Sequence, residues 1–104
     1  MSQYSVSPTI SSNVDFDIGS WSGYNYFPVN CSGGSCTVTL PTSVWDGLSF
    51  IFNRVDSNLL ATFTMDCHTG TINGGSSIVV PGKSYVEVVY DGGNWMAPRF
   101  STII

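Results

Sequence analysis

The chain has 104 residues, enough for one domain with roughly 5,700 Å² of folded surface and about 65% of the unfolded chain's surface buried. Charged residues make up 10% of it, where ordinary globular chains carry about 25%, so the surface is largely Ser, Thr, Asn and Gly and has little electrostatic protection against self-association. Seven carboxylates outweigh three scattered bases, Arg54, Lys83 and Arg99, which excludes a phosphate-neutralising patch and hence nucleic acid as a partner. No apolar run approaches the ~20 residues of a membrane span, so membrane insertion is not expected. The first residues lack the basic and apolar regions of a signal peptide, so synthesis in a cytoplasm is expected.

Taken in chain order, the sequence shows β signals almost throughout and no sustained helical period. Residues 14–18 alternate apolar and polar strictly, the period-2 pattern of a strand with one wet face. On such a strand Asp15 and Asp17 share a face about 7 Å apart, within the range of an inverting glycosidase pair. Charges on a strand face also guard an edge against unwanted pairing, and nothing in the sequence raises the pKa of either acid, so the chain is expected not to be an enzyme. Residues 21–27 place Trp21, Tyr24, Tyr26 and Phe27 among Ser, Gly and Asn, a composition of flat contact area and adaptable hydrogen bonds on which sugar rings stack. Trp21, Tyr24 and Tyr26 are therefore the candidate receptor-binding residues. The alternative puts Trp21 and Phe27 in the core and the tyrosines at a subunit interface.

Cys31 and Cys36 enclose four small residues, a loop that can bring two Cβ atoms within disulfide range. They are a candidate disulfide, with two free thiols as the alternative. Zinc would need Cys67 and His68 as further ligands, and neighbours on a strand point to opposite faces, so no metal and no cofactor are expected. Cys67 is expected to be a small buried or half-buried residue. His68, the only histidine, reads as a turn residue, since no serine has a nucleophile context for a triad.

Residues 37–40 alternate again and stop at Pro41. Residues 47–54 put Leu48, Phe50 and Phe52 on one face, residues 59–65 do the same with Ala61, Phe63 and Met65, and residues 55–58 read as the hairpin loop between them. Short strands follow at residues 71–73 and 77–80, broken by Gly74 and Gly75 and then by Pro81 and Gly82. The next strand, residues 85–90, directs Val86, Val88 and Tyr90 to one face and Tyr85, Glu87 and Val89 to the other, and the chain re-enters after a turn at residues 94–97. It runs into Asp91, Gly92 and Gly93, a strong hairpin signal because the turn needs positive φ; Asp91 and Gly92 take the turn and Gly93 adds a bulge. The spacing of these strands predicts an all-β, antiparallel sandwich or barrel, jelly-roll-like, in one domain spanning residues 1–104. Residues 1–36 differ in texture and are expected to form an arm or edge strands.

Leu40 and Pro41, then Gly47 before an apolar strand, then Thr71, Ile72, Asn73 and Gly74, and finally Tyr90, Asp91, Gly92, Gly93, Asn94 and Trp95 occur in an order that resembles the C-terminal β domains of bacteriophage tail fibres, spikes and other virion appendages. The resemblance covers residues 37–97. It implies a virion-surface protein, assembled as a homotrimer with Tyr85, Glu87 and Val89 towards a neighbouring subunit. Its partners would be other virion proteins and a glycan or protein of the host cell surface, bound multivalently. A capsid decoration protein and a polysaccharide-cleaving appendage using Asp15 and Asp17 are the alternatives.

Overall fold

A computed structural model describes residues 4–18, 21, 23–68 and 70–102, with side chains through residue 97. It is all-β, with eight strands in two four-stranded sheets among the described residues. β1 (Val14–Asp15), β3 (Cys36–Leu40), β5 (Phe63–Cys67) and β6 (Ser77–Val80) form one sheet in that order. β2 (Tyr26–Val29), β4 (Ser49–Arg54), β7 (Ser84–Asp91) and β8 (Asn94–Thr102) form the other. The folded surface, 5774 Å², matches the ~5,700 Å² of a monomer of this size, so the core closes within one chain.

The pairing corrects the expected antiparallel architecture. From β1 to β5 the chain crosses between sheets at every step, so β1 pairs with β3, β3 with β5, and β2 with β4, all in parallel. Only the last part turns back antiparallel, β6 on β5, β7 on β4 and β8 on β7. Period-2 alternation is common to both kinds of ladder, so the sequence pattern is silent on the difference. Residues 55–58 are accordingly not a hairpin loop but part of a crossover from β4 to β5 in the opposite sheet. Leu59 and Leu60, expected in a strand, are each 96% exposed at its tip.

The alternation does set the core. β3 buries Cys36, Val38 and Leu40, β4 buries Phe50 and Phe52, and β7 buries Val86 and Val88, while Tyr85, Glu87 and Val89 face outward and are half-buried. Phe27, Phe50, Phe52, Phe63 and Trp95 meet between the sheets with ring centroids 5.0–6.3 Å apart along the cluster. Residues 4–10 run beside β2, where the Ser7 and Ile10 amides donate to Tyr26 and Pro28 carbonyls. β1 and β2 occupy sheet edges.

The closing hairpin also differs in detail. Asp91 pairs with Asn94, so the turn residues are Gly92 (φ 63°) and Gly93 (φ 94°), one position later than expected. Both need the left-handed region, which glycine enters freely. The bulge lies not at Gly93 but between Glu87 and Val89, opposite the stretch of β8 holding Pro98, which has no amide to donate to the ladder.

Candidate functional site

The parallel register gathers chemistry at one end of the molecule. β1, β3 and β5 finish together, with Asp15 beside Thr39 and Thr39 beside Asp66, so the residues just beyond these strands share one rim. β1 is shorter than the alternation suggested. After Asp15 the chain turns, with the Ile18 amide donating to the Asp15 carbonyl at 2.9 Å, and Phe16 drops inward against Phe27 at 5.0 Å.

This turn brings Asp17 back toward Asp15 rather than leaving it a strand step away. The Asp17 amide donates to Asp15 Oδ1 at 2.9 Å. Across the rim Thr42 clamps Asp17, its amide donating to Oδ1 at 3.0 Å and its hydroxyl to Oδ2 at 2.9 Å. His68, in the bend after β5, places Nε2 3.0 Å from Asp15 Oδ1 and 3.4 Å from Asp17 Oδ2. One donor atom from each of these three residues lies within 4.8 Å of the others. The hydrogen bond with Asp15 raises the His68 pKa above its ordinary value, and the same bond, helped by the Asp17 amide, lowers that of Asp15. The histidine signals in the sequence placed His68 in a turn but could not show which carboxylates it meets, because that contact exists only through the parallel register.

Beside this cluster lies a groove of about 430 Å³. Phe16, Leu48 and Phe50 contribute to its lining, together with Trp21, Tyr24 and Trp45 and with Asp17 and Ser43 as polar groups. Trp21 stacks on Phe16 at 5.9 Å and an interplanar angle of 16°, which fixes its plane. Trp45 sits in the loop between β3 and β4 and is 63% exposed. That loop is fastened on both sides: Leu48 donates to the Trp45 carbonyl, Gly47 to the Tyr90 carbonyl, and Gly92 of the closing turn to Asp46 Oδ1. The closing hairpin therefore positions a groove residue.

The structure thus joins Trp21 and Tyr24 in one groove but separates Tyr26 from them. Tyr26 lies on β2 against Tyr4 at 5.6 Å, and its hydroxyl accepts from Asn53 Nδ2 at 2.9 Å. Trp45 was not among the candidate residues, since a lone tryptophan between Val44 and Asp46 carries no signal until the loop is folded. Asp91, Gly92 and Gly93 form the turn that fastens the groove loop, and Tyr85, Glu87 and Val89 lie on the outer face of the second sheet.

Cys31 and Cys36 stand at the opposite end, both buried and both thiols. Burial, and then a hydrogen bond with Cys36, pushes the Cys31 thiol up to about 12, so almost no thiolate is present at neutral pH. Cys67 is half-buried, and its thiol reaches the Gly70 carbonyl at 3.6 Å. A scan against protein-family models and a search of curated proteins return no match to this chain.

Proposed function

We propose that the chain is a binding protein of a virion appendage whose groove at Trp21, Tyr24 and Trp45 holds a saccharide of the host surface. One observation carries this: five aromatic side chains, Phe16, Trp21, Tyr24, Trp45 and Phe50, line a single groove with Asp17 and Ser43, and one of the rings, Trp45, is largely open to solvent. Pyranose rings stack their C–H faces on aromatic planes, and Asp17 and Ser43 supply acceptor and donor groups for hydroxyls. The volume falls in the roughly 300–1,000 Å³ range of small-molecule sites. A net charge of −4 and a carboxylate in the wall favour a neutral or amino sugar over an acidic one. The virion setting rests on the appendage-like order of residues 37–97, and three copies displaying one weak site each would gain avidity.

The Asp15 and Asp17 carboxylates support binding more than hydrolysis. Their nearest oxygens lie within 4.8 Å, closer than the ~6.5–9.5 Å of an inverting pair, and the Asp15 pKa is lowered where a general acid needs it raised. A decoration role has one observation in its favour. Leu59 and Leu60, 96% exposed at the end remote from the groove, suit contact with another virion protein.

The test is a titration of the isotopically labelled chain with neutral oligosaccharides from host envelope polysaccharide, read at the indole N–H signals of Trp21 and Trp45. Shifts confined to the groove, and lost in Trp45→Ala, are expected. Cell binding that persists in Trp45→Ala with no indole shift would remove the groove from the mechanism. Sedimentation at micromolar concentration tests the trimer, and a monomer there would end the avidity mechanism.

A further inference from the structure

We infer that Asp15, Asp17 and His68 bind a divalent transition-metal ion, Zn²⁺ or a neighbour of similar size, at the rim of the aromatic groove. The donors come from the end of β1 with its following turn and from the bend after β5, more than fifty positions apart in sequence, and one nitrogen meets two carboxylates at once. A ring nitrogen carries at most one hydrogen, so Nε2 can donate to Asp15 Oδ1 at 3.0 Å or to Asp17 Oδ2 at 3.4 Å but not to both. Asp17 takes its hydrogen bonds from Thr42 and meets the ring nitrogen only as a neighbouring charge.

An ion between them satisfies all three. Nitrogen and oxygen donors held ~2.1 Å from Zn²⁺ stand roughly 3.0 Å apart at octahedral angles and roughly 3.4 Å apart at tetrahedral ones. The His68 distances to Asp15 and Asp17, 3.0 and 3.4 Å, fall within this span, and all three donor atoms lie within 4.8 Å of one another. One imidazole and two carboxylates form a mixed set that suits Zn²⁺, Co²⁺ or Mn²⁺, whereas Ca²⁺ and Mg²⁺ prefer oxygen donors alone. Thr42 holds both Asp17 oxygens from outside the trio, so the carboxylate is aimed before any ion arrives. Three protein donors leave further coordination positions for water or a ligand group. Asp17 belongs to both the trio and the groove lining, so the ion would stand next to whatever the groove holds.

The site stands on the trio alone and does not depend on the groove taking a saccharide. Calorimetric titration of the full chain with Zn²⁺, and absorption spectra with Co²⁺, test it directly. Expected are one ion per chain, weak Co²⁺ bands of nitrogen and oxygen ligation without intense sulfur charge transfer, and a rise in Tm with Zn²⁺. His68→Ala and Asp17→Asn should each weaken binding by about ten-fold or more, and Cys67→Ser should leave it unchanged. His68 lies on the surface, so circular dichroism of His68→Ala should match the parent and separate ligand loss from unfolding. Absence of Zn²⁺ binding at millimolar concentration overturns the site. Binding unaffected by His68→Ala, or a sulfur charge-transfer band that vanishes in Cys67→Ser, does so equally.

Discussion

Two charged clusters stand at opposite ends of β5, and they use the same residue types differently. At its start, Arg54 is 3% exposed and engages every guanidinium nitrogen: Nε and Nη2 donate to the Asp56 carboxylate, Nη1 to the Val80 carbonyl, and the Asn58 and Ala61 carbonyls share the Nη2 hydrogens. Asp56 in turn accepts from the Cys31 and Asn58 amides. This cluster ties the β4–β5 crossover to both sheets and is closed off from solvent. At the far end, Asp15, Asp17 and His68 are each about a third exposed, and one ring nitrogen stands before two carboxylates. A saturated cluster stabilises; an unsaturated one on the surface is free to bind.

The comparison breaks first at Arg54. Arg54→Ala takes the cation from a buried carboxylate and the guanidinium donors from three carbonyls, and is expected to cost about 3–5 kcal/mol, enough to unfold much of the population. Urea denaturation of Arg54→Ala beside His68→Ala measures the contrast: a midpoint near that of the parent is expected for His68→Ala. Equal losses in the two variants would show that the clusters do not differ in kind.

Next in size, Gly70→Ala joins the two halves of the binding end. Gly70 has φ 75°, and a Cβ there would stand 2.2 Å from the Gly93 carbonyl oxygen, a backbone atom that cannot swing aside. Strain plus displacement should cost about 2 kcal/mol or more. Since Gly70 follows the His68 bend and Gly93 belongs to the turn that fastens the Trp45 loop, the thermal melt should fall and metal and saccharide binding should weaken together.

Acid sharpens the comparison at the other end. Burial alone would raise the Asp56 pKa, but hydrogen bonds from Arg54 and from the Cys31 and Asn58 amides overcome it and hold the group at about 2, against 3.8 unfolded. A depressed carboxyl contributes stability that is complete above its unfolded pKa and is lost as pH falls through the folded one. The loss, about 2 kcal/mol, should therefore appear between pH ~4 and ~2 in urea midpoints and be absent in Asp56→Asn, whose own stability is lower throughout.

The alternation of residues 37–40, 47–54 and 85–90 was enough to identify β3, β4 and β7 and their buried faces, because period 2 reports which side of a strand is apolar whatever it pairs with. It could not report the partner. Residues 55–58 look like a hairpin loop because Asp56, Ser57 and Asn58 are turn residues, yet Asp56 and Asn58 spend their side chains on Arg54, Cys31 and Leu60. The same blindness hid the binding end. Trp21 and Tyr24 stand out by composition, whereas Trp45, His68 and the inward turn of Phe16 join them only through parallel ladders between residues distant in sequence.

The smallest effect on stability should come from Trp45, and it is the one that separates scaffold from site. Its loop is held by backbone and Asp46 hydrogen bonds to Tyr90 and Gly92, not by the indole, which is 63% exposed. Trp45→Ala should therefore move the unfolding free energy by no more than about 0.5 kcal/mol, as is usual for a surface substitution. Under the proposed function the indole is the aromatic anchor of the groove, and its removal should lower saccharide affinity about ten-fold or more. Trp95→Ala, by contrast, empties the space of a fully buried indole and should cost about 3–5 kcal/mol. Affinity lost in Trp45→Ala at unchanged stability would mark the groove as a surface kept for a ligand; stability lost with it would return Trp45 to the packing of the fold.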